Sequence, residues 1–222
     1  MTPAKRRIKR VEVVVFCLVL AIVVMVSVPL ITGQQKSANY TEALSNTRSL
    51  SCAFLEFDQE FGSFPTKETR SLVMDATGTD PGPPTGSAND CFRQLIAYGI
   101  QSEDIFFATH PEGSSKPDNL TQPFATEALK PGEAGLSYVY GLNTSLDPEY
   151  PLLIAPMRTG SHLAHRTYGG KVVVRFIDSS TLPCTVNRHG EILLPDGTLL
   201  FDPARPIWQN RPIDIRHPEF PN

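Results

Sequence analysis

Val13 to Ile31 reads VVVFCLVLAIVVMVSVPLI and follows the basic run Lys5-Arg6-Arg7-Ile8-Lys9-Arg10, with only Val11 and Glu12 between them. These 19 residues carry no charge. At about 1.5 Å per residue, a helix of that length rises nearly 30 Å, about the hydrocarbon thickness of a bilayer. The positive charges precede the run, which predicts a cytoplasmic N-terminus with the rest of the chain sent across. A cleaved secretory signal is the rival. Its apolar core runs only about 7–15 residues and ends in small residues of the A-x-A kind. Here the exit is Pro29-Leu30-Ile31-Thr32-Gly33, so the sequence favours an uncleaved anchor.

Charge follows the same division. The chain has 20 Lys+Arg and 23 Asp+Glu. Five positives (Lys5, Arg6, Arg7, Lys9, Arg10) and one negative (Glu12) belong to the anchor region, leaving 15 against 22, a net charge of −7. That balance repels phosphate backbones and argues against a nucleic-acid partner. Of the four cysteines, Cys17 lies in the span, and Cys52, Cys91 and Cys184 follow it into a compartment expected to be oxidising. Cys52 and Cys91 are the pair to test first, since both fall on expected helices near the anchor. Three buried free thiols are the alternative. No C-x-x-C spacing points to metal or redox chemistry.

Beyond Gly33, apolar residues recur at Ala43, Leu44, Leu50, Phe54, Leu55, Phe57 and Phe61 at near-helical spacing, with no proline between Pro29 and Pro65. This predicts one helix from about Ile8 to about Phe61, kinked near Pro29 and stopped by Gly62 and Pro65. Its face of Leu44, Leu50, Phe54 and Phe61 needs a sheet to cover it. A Gly/Pro-rich loop (75–87) follows, then a short helix capped by Asn89 or Asp90 and ended by Gly99, with Phe92, Leu95, Ile96 and Tyr98 on one side. Residues 109–131 read as an extended loop. Residues 136–142, 151–154, 171–176 and 191–201 read as strands, the last a hairpin around Pro195-Asp196-Gly197. The fold class is α+β, with the long helix packed against a C-terminal antiparallel sheet of four or five strands. The divisions are a basic N-terminus (1–10), a transmembrane half-helix (11–32), an amphipathic half-helix (33–64), a globular part (65–202) and a proline-rich tail (203–222), expected on the surface or loose.

The combination of a basic N-terminus, a glutamate at the start of the span and a proline late in it resembles the type IV pilin and type II secretion pseudopilin class. With Ile8 as mature start, Glu12 is the fifth residue and Pro29 the twenty-second, the two marker places of that family. Asn46-Thr-Arg-Ser-Leu50 leading to Gly62-Ser-Phe-Pro65 is similar to the helix end of bacterial pseudopilin-like proteins. So, in order, are Ser87 to Leu95, Asp104 to Phe107, Pro117 to Asn119, Gly132 to Gly141, Pro151 to Leu153 and Gly170 to Ser179. The resemblance implies a pilin-like fold and a membrane-anchored structural subunit. Such a subunit sits in a bacterial inner membrane with its C-terminal part periplasmic or otherwise extracytoplasmic. Its partners are further copies, other pseudopilins and inner-membrane secretion components, and it has no cofactor and no catalysis. Glu12 and Pro29 carry assembly. The processing position departs from the pattern: Arg7 stands where the family's peptidase needs glycine, and Ile8 follows it. The alternative is a permanently anchored binding or sensor protein, with loops 75–87 and 109–131 as its contact surface. His162-Leu-Ala-His165 with His189 is a weak metal pattern on a loop, and no G-x-S-x-G elbow is present. Asp178, Asp196 and Asp202 lack the density of a calcium loop. No metal is expected. Asn39, Asn119 and Asn143 open glycosylation-type triplets, which arise often by chance.

Overall fold

The computed structural model describes residues 10–82, 84–208 and 211–221, apart from the side chains of residues 10–12, 26, 125 and 126. Helix α1 spans Arg10–Phe61 without interruption through Pro29. It ends where the sequence places its stop. Gly62 turns left-handed (φ +74) and its N–H bonds the Asp58 carbonyl at 2.8 Å. The outer half of α1 buries Ala43, Thr47, Leu50, Phe54 and Phe57, residues three or four apart, so they form one stripe. Leu44 and Phe61, expected on that face, lie at its margin and are half-buried.

Two helices follow, α2 (Thr69–Thr77) and α3 (Ala88–Tyr98), then a one-turn α4 (Phe124–Glu127). The sequence reading placed no helix at α2. Ser87, not Asn89 or Asp90, caps α3. Its hydroxyl accepts the Asp90 N–H while the Asp90 carboxylate accepts the Ser87 N–H, a reciprocal capping box. Asn89 is instead fully buried and donates to the Leu129 carbonyl at 3.1 Å.

The sheet has six strands: β1 (Ser137–Val139), β2 (Pro151–Ala155), β3 (Lys171–Phe176), β4 (Thr181–Val186), β5 (Ile192–Leu193) and β6 (Ile215–Arg216). Their order is β5-β4-β3-β2-β1-β6, every pairing antiparallel. The expected hairpin is present: Leu193 bridges Leu199 around Gly197 at φ +86. β4 was not expected because it contains Pro183, which has no N–H for a ladder. β5 pairs only with Thr185 and Val186, so at Pro183 the strand has β3 on one side and no strand on the other.

The tail is neither loose nor merely superficial. β6 pairs with Tyr138 and Val139, and the Glu219 carbonyl accepts the Gly132 N–H at 2.7 Å. The His217 carbonyl accepts the Ala88 N–H at 2.9 Å, tying the tail to the start of α3 as well.

The helix and sheet meet over β2 and β3. Val172, Val174, Leu152 and Ile154 are fully buried. Arg175 donates through Nε to the Ser51 hydroxyl of α1 (3.2 Å) and through Nη1 to the Thr181 hydroxyl (2.8 Å), so its buried charge has partners. A second lock forms beneath α1, where the Asn46 amide donates to the Phe107 carbonyl at 3.0 Å. Close beside it Gly135 runs against Ala108. A Cβ at Gly135 would stand 1.9 Å from the Ala108 carbonyl oxygen and 2.7 Å from its carbon. Backbone must therefore move to admit any side chain. Gly135→Ala is expected to destabilise the protein by about 3 kcal/mol, the upper end of overpacking effects, read as a lowered urea midpoint in detergent. A loss below about 0.5 kcal/mol contradicts this close approach.

Candidate functional site

The inner half of α1 is the feature that sets this molecule apart. Its described apolar side chains are uncovered, with Phe16 67% and Met25 76% exposed. Among the described residues, the large exposed apolar side chains outside it are Leu72, Met74, Leu120 and Leu182, and no two of them adjoin in sequence. The run has a mean hydropathy of 3.1 over 18 residues, with none of that window buried, and it is long and apolar enough to cross a membrane. A surface of this size marks a membrane or protein contact. The same helix continues into the core, so the apolar rod and the globular part share one continuous element.

Pro29 lies in the last third of the run. It lacks the N–H that would bond the carbonyl one turn back, yet α1 continues as helix on both sides. The Thr32 hydroxyl donates to the Val28 and Pro29 carbonyls, both at 3.1 Å. The carbonyl that Pro29 leaves without its helical N–H is that of Met25, one turn earlier, so these bonds reinforce the turn that follows the proline and do not replace the lost one. Glu12 lies on the first turns of α1, and its side chain falls outside the described atoms. Arg7 and Ile8, the processing positions, lie outside the described residues.

The expected Cys52–Cys91 pairing is not formed. All four cysteines are free: Cys52 faces outward from α1, whereas Cys91 sits in the core beneath α3. Burial raises the Cys91 thiol far above its ordinary range, and burial raises Cys184 to about 11. Neither is a reactive thiolate at neutral pH.

The histidines of the H-x-x-H pattern part company. The His162 ring lies against Phe201, with centroids 5.5 Å apart, while His165 Nε2 is 2.8 Å from a Glu112 carboxylate oxygen. Asp178, Asp196 and Asp202 each close a local turn, accepting the N–H of Ser180, Thr198 and Ala204 respectively. Asp178 and Asp196 line one cleft of about 370 Å³, which Asp202 does not join. The 75–87 loop lines a cleft of about 250 Å³ with Lys67, Arg70, Tyr140 and Arg216. Its cations are already engaged, Arg70 with Asp80 at 2.6 Å and Arg216 with Asp214 at 2.8 Å.

Sequence reading missed the buried acids Asp58, Glu103 and Glu133, of which Glu103 is the most enclosed. Glu103 is fully buried; Oε1 accepts the Leu129 N–H at 2.7 Å, and Oε2 has no partner among the described residues. Burial raises its carboxyl above the usual range, and the nearby Glu133 and Asp118 charges add to that. A raised folded value means the folded state keeps the proton longer than the unfolded chain. The resulting stabilisation is complete below the unfolded pKa, about 4.3, and disappears as pH rises through the folded value. Glu103→Gln removes this slope. Between pH 4 and 7 the unfolding free energy of wild type, read from urea titrations, is expected to fall relative to that of the variant by about 1.4 kcal/mol per unit of raised pKa. Parallel pH profiles contradict it.

Comparison with protein-family models, with curated proteins and with solved structures returns no match for this chain.

Proposed function

We propose that the chain is a membrane-anchored structural subunit of pilin-like type, assembling through α1 with further copies or related pseudopilins in a secretion- or pilus-type system. The observation that carries this reading is the continuity of α1. One helix offers an uncovered apolar rod at one end and is the spine of the globular part at the other. A sensor needs only a tether, whereas a helical assembly needs such a continuous spine to transmit register from membrane to head. The Glu12 and Pro29 register supports the same reading.

Glu12 supplies the assembly chemistry. A carboxylate at hydrocarbon depth costs on the order of 2.5–3.5 kcal/mol and calls for a cationic partner. Cleavage before Ile8 would create that partner as a new amine on a neighbouring subunit. Without cleavage, Lys9 or Arg10 takes the role. The basic N-terminus supports a cytoplasmic N-terminal end with the globular part across the membrane, and the resemblance to pseudopilins supports a bacterial inner membrane. We assign no catalytic residue and no cofactor.

The alternative, a permanently anchored binding or sensor protein, is favoured by the cleft beside the 75–87 loop. Two measurements on protein taken from its native membranes separate the readings. The first is the N-terminal residue, and the second is crosslinking between single cysteines placed along residues 13–31. A start at Ile8 with subunit-to-subunit adducts supports the assembly. An uncut N-terminus with monomers only supports the sensor.

A further inference from the structure

Two residues of the 110–112 loop, His110 and Glu112, meet His165 of the β2–β3 loop where the tail also converges. His110 is almost fully buried, at 4% exposure. Its Nε2 lies 2.6 Å from the Met157 carbonyl, and its Nδ1 is 3.2 Å from the Glu112 N–H. A carbonyl only accepts, so Nε2 carries the hydrogen and Nδ1 presents its lone pair. The ring is clamped from two sides: Phe220 stacks on it at 4.3 Å, and His165 meets it edge-on at 5.2 Å.

Glu112 is fixed as firmly. One carboxylate oxygen accepts the Thr159 N–H at 3.2 Å and stands 2.8 Å from His165 Nε2; the other accepts the Thr159 hydroxyl. The loop beneath is itself locked. Met157 bridges Ala164, the Arg158 N–H bonds the Leu163 carbonyl at 2.7 Å, and the His165 N–H bonds the Pro156 carbonyl at 2.9 Å. One ligand atom from each of His110, Glu112 and His165 lies within 4.8 Å of the other two.

We propose that His110 Nδ1, a Glu112 carboxylate oxygen and His165 Nε2 form a site for one zinc-like divalent cation, with a fourth position open to water. Two imidazoles and a carboxylate are a donor set suited to zinc and poorly suited to calcium, which takes six or more oxygens. The surroundings are those of metal ligands. An imidazole donating its far N–H to a backbone carbonyl holds tautomer and ring plane, and Thr159 orients the carboxylate. Zinc bonds of about 2.0–2.1 Å place tetrahedral ligand atoms a little over 3 Å apart. The 2.8 Å His165–Glu112 contact therefore opens slightly, and the His110 Nδ1 bond to the Glu112 N–H is given up. Because Phe220 stacks on His110, the bound ion would also fasten the tail.

The test uses full-length protein in detergent, stripped with a chelator and titrated with zinc chloride by calorimetry, with thermal unfolding in parallel. Expected are one equivalent bound at micromolar affinity or tighter and a Tm rise on the order of 5 °C at a hundredfold excess over Kd. Glu112→Gln and His165→Ala, both at partly exposed positions, should weaken binding at least tenfold. His162→Ala and His189→Ala should leave it unchanged, and calcium should not compete. His110→Ala is informative only where its circular dichroism matches wild type, so the proposal rests on the other two variants. No zinc uptake below millimolar concentration overturns it and leaves a His–carboxylate contact alone. Equal loss in His162→Ala overturns it in favour of surface histidine binding.

Discussion

Val19→Asp combined with Val23→Asp is expected to move the protein from the membrane pellet to the supernatant after alkaline carbonate extraction. Both positions lie in mid-run, about half exposed and facing no other part of the described chain. Each aspartate adds about 2.5–3.5 kcal/mol to insertion at helix centre, so the pair adds about 5–7 kcal/mol. In water the same substitutions are harmless, because exposed helical positions tolerate charge. The control is Gln34→Asp with Ser37→Asp, on exposed positions of α1 just past the run, which should stay in the pellet like wild type. If the mid-run variant pellets equally well, the apolar run is not what holds the protein in the membrane.

Phe54→Ala should produce the largest loss of folding stability of any single truncation on α1. Its ring is fully buried and stands 5.1 Å from Tyr138, 5.4 Å from Phe64 and 6.3 Å from Phe92. It thus joins α1 to the sheet, to the chain just past the helix and to α3. Truncating a buried phenylalanine costs about 3–5 kcal/mol, against a typical domain stability of about 5–15 kcal/mol. The urea midpoint in detergent should fall by more than about 1 M, given slopes of about 1–3 kcal/mol/M. Phe61→Ala, at the margin of the same face, should lose distinctly less. Equal losses at the two sites would mean that the sheet does not seat on the Phe54 stripe.

Much of this architecture was legible because a strong local signal and the tertiary demand coincide. Gly62 and Pro65 end α1, the run Lys171–Phe176 is β3 residue for residue, and Pro195-Asp196-Gly197 makes its turn. Helix α2 was missed because it buries little beyond Thr69 and Val73 and leaves Leu72 and Met74 exposed, so no apolar stripe announces it. β4 hid behind Pro183. β6 is two residues long and exists only because β1 offers an edge. The Cys52–Cys91 expectation failed on direction: both lie on helices, but one faces out and the other in. The His110–Glu112–His165 cluster was beyond periodicity altogether. H-P-E at 110–112 is the only local trace, and the third member arrives from across the β2–β3 loop.

Residues 13–31 are expected to lie in hydrocarbon while the rest of the described chain lies in water. The native cysteines test it directly, since Cys17 and Cys52 are both uncovered on α1 and Cys91 and Cys184 are buried. Sonicated, detergent-free membranes are treated with a charged, membrane-impermeant maleimide, and the labelled peptides are identified by mass spectrometry. Rapid labelling of Cys52, with Cys17 unlabelled until detergent is added, is the predicted result. Labelling of Cys17 as fast as Cys52 in intact membranes contradicts the account.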